Sequence, residues 1–354
     1  MTNSFLRNGL WGSLFQDQEV ARALSAKVML DHALAFERVW AEALRDSVAV
    51  SADAGAQALA AIDGFTPDTS ALARASENDG LPVPALIKAL KAAATEVARP
   101  AIHTGATSQD VLDTAMVLTG LALLDLFRDR TRHLVDGLDG LSERFGSAPM
   151  MARTRMQAAL PITVADRIED WRSPLVAHLV AIETLKDALG YVQIGGPVGL
   201  RDVPDGVADR VAASLGLRLG PVWHSDRSRM LDLGHLMVKL SGTLGKMGQD
   251  IALMAQIGEV GLSGGGGSSA MPHKQNPVRA EVLVALARTV AGHQGTLGQA
   301  MVHEQERSGA GWAIEWLTLP TMLEMTGAAL NNAETLLAQI TRLGPPPAGP
   351  DAAT

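Results

Sequence analysis

A chain of 354 residues with 47% hydrophobic side chains is long enough to bury a large core, and its six Phe and one Tyr against many Leu, Ala and Met favour helices over sheets. Its formal net charge of -8 excludes a general attraction to nucleic acid or anionic membrane, so neither is expected as a partner and any cationic groups that hold an anion must be local. The absence of cysteine excludes a disulfide, a thiolate nucleophile and a Cys-based metal site.

In chain order, MTNSFLRNGLWGSLF lacks the basic start and apolar stretch of a secretory leader. No run approaches the roughly 18 apolar residues of a membrane span, so a cytoplasmic protein is expected. Residues 1–102 predict a small helical cap, with an Ala-rich helix over 21–50 and turn-rich stretches at 63–70 and 78–84. A long helix begins near Ser108 and sets Val117, Leu121, Leu124, Phe127, Leu134, Leu138, Leu141 and Phe145 on one side, with Asp110 and Asp113 suited to its first turn. Further helical patterns follow Pro161, Pro277 and Gly311. Over 225–258 apolar residues alternate at spacings of three and four, at Met230, Leu233, Met237, Leu240, Leu244, Met247, Ile251 and Met254. That is a heptad seam on one helix about 45 Å long. Residues 103–342 therefore predict an elongated all-α bundle of long helices, and 343–354, with four prolines, a disordered tail.

Three stretches carry polar groups suited to chemistry. In the first, GLSGGGGSSAMPHKQNPVRAE over 261–281, four glycines can bring backbone N–H groups close to an anion. A bare Gly/Ser run would be a linker, but Met271, Pro272, Lys274, Asn276 and Pro277 follow at once. No Gly-Lys-Ser/Thr follows the glycines, which excludes a phosphate-binding P-loop. The second, HTGATSQD over 103–110, is a helix start with Thr107 or Ser108 as N-cap, and its unpaired N–H groups and positive dipole end suit a carboxylate. A lone histidine such as His103 is otherwise more often structural. The third is RTRMQAALPIT over 153–163.

Together these stretches resemble the SSxMPxKxN, HxGxTSxD and RTHxQxAxPxT regions of the fumarase/aspartase superfamily, and HTGATSQD is most similar to the version found in carboxymuconate cycloisomerases. The resemblance runs from about residue 10 to 337 and thins over 46–100. It implies that Ser268 is the catalytic base beside a substrate carboxylate, with Lys274 stabilising the charge that develops. It implies substrate contacts for Ser269, Asn276, Thr107, Ser108, His103 and Gln157, and places Glu281 and Arg153 behind them as orienting groups. Where many superfamily lyases have a histidine that assists the leaving group, this chain has Arg155. Arginine stays protonated and cannot readily give a proton to departing nitrogen, whereas a carboxylate leaving group needs only charge stabilisation. Arg155 thus favours a cycloisomerase interconverting 3-carboxy-cis,cis-muconate and its lactone over the alternative, an adenylosuccinate lyase; a sulfonate-bearing muconate is equally compatible. The plain alternative for Arg155 is a pair with an acid at a subunit boundary.

Two further segments resemble superfamily segments near the active site. In Trp223–Arg227, His224 and Arg227 are expected substrate contacts, while Glu304 and Arg307 in HEQER suit a solvated or interface ion pair. No HExxH or comparable array suggests a metal, and no cofactor is implied. The family architecture implies a homotetramer whose active sites draw on three chains, with the long helices at its centre. Typical members carry a further C-terminal domain, for which this chain has no counterpart after 342.

Overall fold

The computed structural model describes residues 10–267, 271 and 275–345, and its body is five long helices. Among the described residues six helices come first: α1 (Gly12–Phe15), α2 (Gln18–Ala23), α3 (Ala26–Asp46), α4 (Ala52–Asp63), α5 (Thr69–Asp79) and α6 (Val83–Ala93). The helix expected over 21–50 is broken at Leu24, where Ser25 caps the new helix by accepting from the Val28 N–H. The two turn-rich stretches are the ends of α5: Asp68 accepts from the Ala71 N–H at its start, and Gly80 closes it in the left-handed conformation.

The bundle consists of α7 (Ser108–Phe145), α8 (Val164–Leu189), α10 (Ser228–Gln256), α11 (Val278–Gly298) and α12 (Gly309–Gln339), with the short α9 (Val207–Ser214) between α8 and α10. Hydrogen bonds fix their directions. Asp113 near the start of α7 meets Arg227 just before α10 and Trp312 at the start of α12. At the far end Ser263, after α10, donates to the carbonyl of Gln339, the last residue of α12. Helices α7, α10 and α12 therefore run one way, and α8 and α11 return.

Every residue of the expected heptad seam is at most 5% exposed. Its partners lie within the chain, on α8, α11 and α12, so the length of α10 needs no other subunit to cover this stripe. Glycines let α11 approach closely: a Cβ at Gly245 would lie 2.5 Å from that of Ala287, and one at Gly248 2.6 Å from the Ala280 carbonyl. One apolar cluster runs from Phe36, Trp40 and Leu86 into the bundle, so the first hundred residues and the long helices share a core. Among the described residues no helix is long and apolar enough to cross a membrane.

The described residues also include three two-stranded ribbons that the helical reading omitted: β1 (Pro149–Thr154) with β2 (Gln157–Thr163), β3 (Val260–Leu262) with β6 (Ile340–Leu343), and β4 (Gly266–Gly267) with β5 (Gln275–Asn276). The first residues of the expected tail are paired with the bundle. Leu343 pairs with Val260, and the Gly344 N–H donates to the Glu259 carbonyl at 3.0 Å. Residues 346–354 lie outside the described residues.

Candidate active site

The expected site residues that are described divide between the two ends of the bundle. Helix α7 has 38 residues, so at 1.5 Å per residue about 57 Å separates them.

At one end, Thr107 caps α7 in extended conformation, and its N–H donates to Asp110 at 3.1 Å. Asp110 is fully buried and also accepts from the N–H groups of Gly195 at 2.8 Å and Gly196 at 3.0 Å, and from His224 Nε2 at 2.9 Å. This leaves Ser108, half-buried, at the mouth of the helix with the first-turn N–H groups that have no helical acceptor. Arg307 arrives from before α12: Nε donates to Gln109 Oε1 at 2.8 Å and Nη2 to Thr107 Oγ1 at 3.2 Å. The pairing of Arg307 with Glu304 is not what the fold makes, because Arg307 turns inward to the helix start. An acidic chain thereby gathers one guanidinium and the free N–H groups of a helix start at this mouth.

Below that mouth Arg227, 1% exposed, donates to Asp113 at 2.7 and 2.9 Å and to Glu315 through two bonds of 2.7 Å. Burial alone would lower its pKa, but the two carboxylates raise it further, so it stays charged. Burial raises the Glu315 carboxyl above its usual range, and Arg227 partly offsets this. Arg227 thus joins α7, α10 and α12 from inside the core. His224, expected as a substrate contact, is likewise 3% exposed, its ring packed against Gly195. His303 is half-buried, and its Nδ1 accepts from the Ser308 N–H at 3.4 Å. Desolvation, then Arg227, lowers its pKa below the usual histidine value.

At the other end RTRMQAALPIT is a hairpin. Thr154 pairs with Gln157, which leaves Arg155 and Met156 as a two-residue turn with φ of 49° and 67°. Both lie in the left-handed region that non-glycine residues occupy at a cost of about 1 kcal/mol or more each. The β1–β2 ladder holds Arg155 at the tip, exposed to solvent, with Gln157 also exposed. Arg155, Arg153, Arg167, Asp250 and Glu259 line a groove of about 450 Å³ beside the end of α10. Both acids of the groove pair with cations other than Arg155: Asp250 with Arg167 at 3.6 Å and with Lys246, and Glu259 with Arg153 Nη1 and Nη2 at 3.0 and 2.9 Å.

The glycine-rich loop springs from the same end. Its foot is tied by Ser263 to Gln339 and by Arg342, which donates to the carbonyls of Gly258, Gly344 and Pro345. Gly266 pairs with Asn276, and Glu281 lies exposed in the first turn of α11. Ser268, Ser269 and Lys274 lie outside the described residues. Among the described residues no group of three or more His, Asp or Glu gathers in a way that could hold a metal.

The model of a family described as "Lyase" matches residues 14–292. A 3-carboxy-cis,cis-muconate cycloisomerase of Acinetobacter baylyi is 32% identical over 93% of this chain and 76% of its own length. A trans-aconitate decarboxylase of Mycosarcoma maydis is 34% identical over 73% of this chain and 54% of its own. The crystal structure of a 3-carboxy-cis,cis-muconate lactonizing enzyme from Pseudomonas putida superposes with a TM-score of 0.87 and 33% identity, covering 94% of this chain and 77% of that one. With its bundle of long helices and its match over most of its length, the chain belongs to this lyase family, within the fumarase/aspartase superfamily.

Proposed function

We propose that the chain interconverts 3-carboxy-cis,cis-muconate and its carboxymuconolactone. The observation that carries this reading is Arg155 at the hairpin tip, unpaired among the described residues and beside the foot of the serine loop. In lactonisation one carboxylate oxygen of the substrate adds to a diene carbon and a C–O bond forms. The π electrons move onto the carbon beside a second carboxylate, giving an aci-carboxylate. Ser268 then delivers one proton to that carbon. In reverse Ser268 takes the proton and the ring oxygen departs as a carboxylate, which needs a fixed positive charge and no acid; Arg155 supplies that charge. The change is redox-neutral and moves one proton, so side chains suffice for it. Lys274 and Asn276 hold the carboxylate where charge accumulates, while Thr107, Ser108 and Arg307 hold another at the start of α7.

Residues about 57 Å apart cannot meet on one substrate, so the site is assembled between copies of the chain, with α7 of one copy offered to the hairpin and loop of others. Apolar Val176 and Val180, one turn apart on α8 and 38% and 67% exposed, suit such contacts in a homotetramer. The test is turnover by purified protein. Loss of diene absorbance from 3-carboxy-cis,cis-muconate, with the lactone identified by NMR, is expected. Turnover of trans-aconitate or adenylosuccinate instead would overturn the substrate while leaving the family in place.

A further inference from the structure

Glu37 lies on α3, is 0% exposed, and places Oε1 2.6 Å from Nδ1 of His103. Its other oxygen, Oε2, is buried with no hydrogen-bond partner among the described residues. A buried carboxylate with one oxygen unsatisfied is costly, and packing alone gives no reason for it. His103 is itself held in the left-handed region, at φ 59°. Two side chains three residues apart on one face of α3 hold this loop: Glu37 grips the imidazole, and Trp40 Nε1 donates to the Thr104 carbonyl at 3.0 Å. The loop then turns, with the Ala106 N–H on the His103 carbonyl, and delivers the chain to Thr107.

The second histidine–acid pair in this region is a useful contrast. His224 and Asp110 are both buried, and Asp110 is filled by four donors, so that pair holds the loop at Gly195 in place. Each histidine keeps one ring nitrogen without a partner among the described residues, but Nδ1 of His224 is buried, whereas His103 is 15% exposed and its Nε2 is not among the buried atoms. It is the pair with a nitrogen to offer.

We propose that Glu37 is a positioning residue for His103. Its carboxylate accepts the Nδ1 proton, fixes the ring and the tautomer, and leaves Nε2 as the nitrogen presented to a substrate carboxylate at the mouth of α7. To donate to a carboxylate, Nε2 must carry the ring's second proton, and the negative charge of Glu37 then offsets the imidazolium. The mouth gains a hydrogen-bond donor without a buried unpaired charge. The inference rests on the function proposed above and adds to it a residue from the N-terminal helices.

Two measurements on the full-length protein decide it. Solid-state 15N NMR of histidine-labelled protein, with His103 identified by difference from H103N, is expected to show Nδ1 protonated without ligand, Nε2 protonated as well once a carboxylate is bound, and a mixture of tautomers in ligand-free Glu37→Gln. A wild-type His103 protonated on Nε2 alone would overturn the proposal. In kinetics, Glu37→Gln is expected to lower kcat/KM about tenfold, mainly through KM, and to cause no further loss in an H103N background. An unchanged KM, or equal losses in both backgrounds, would overturn it as well. If the wild type does not act on the muconate, the proposed reaction fails, and the NMR result alone decides the role of Glu37.

Discussion

Arg153 and Glu259 are joined by two parallel hydrogen bonds of 3.0 and 2.9 Å, which tie the hairpin that carries Arg155 to the residue just before the serine loop. Arg153 is 36% exposed, so the pair adds little stability, about 1 kcal/mol or less. Its consequence is positional. Glu259→Gln is expected to leave the unfolding midpoint nearly unchanged and to lower kcat about tenfold, because an error of about 1 Å at a charge-stabilising group is costly. Exchanging the charges, Arg153→Glu with Glu259→Arg, should recover part of the rate. Kinetics and thermal unfolding on the same preparations check both statements.

The buried pairing of Arg227 predicts the opposite balance. Arg227→Leu strands Asp113 and Glu315 in the core without their cation. Denaturant unfolding should show a loss of about 3–5 kcal/mol. Loss of activity at unchanged stability would instead place Arg227 on the substrate.

Ser268→Ala is expected to abolish turnover and leave stability unaltered. Arg155→Ala should lower kcat by about a hundredfold, with partial recovery in Arg155→Lys, which keeps the charge but not its planar fork. Arg155→His should not by itself create activity on adenylosuccinate. Steady-state rates with both substrates check these outcomes.

Stability should fall on acidification. His303 has a lowered pKa in the folded chain, from desolvation first and Arg227 second, opposed by Asp113 and Glu304. The unfolded chain therefore binds more protons as pH falls through about 6.5, so the stability present above that pH declines below it. His303→Gln should make the decline between about pH 6.5 and 5 shallower in equilibrium unfolding.

The seam of α10 was legible because burial on one face of a helix imposes a period, and all eight positions named from spacing lie in the core. The start of α7 was legible from its capping residues. The Arg155–Met156 turn was not, because neither residue signals a hairpin and β2 is exposed along most of its length, without alternation. The small-residue contact of α10 with α11 was missed because Gly234, Gly245 and Gly248 weaken a helix locally and matter only once α11 lies against them. Polar partners were hardest to read. Glu37 and His103 are 66 residues apart and Thr107 and Arg307 are 200, and only the packed bundle selects them. His224 and Arg227 stand in a segment expected near the site, and the fold turns both into the core.

The proposed division of the site between opposite ends of α7 is tested most directly by subunit complementation. Arg307→Ala removes a group from the end that holds Thr107, and Arg155→Ala removes one from the far end; each variant alone should be nearly inactive on 3-carboxy-cis,cis-muconate. Co-expressed and purified as mixed assemblies, the two variants are predicted to regain turnover well above either alone, because hybrid sites take an intact end from each chain. Mixed assemblies no more active than the mean of the two variants would contradict a site shared between copies.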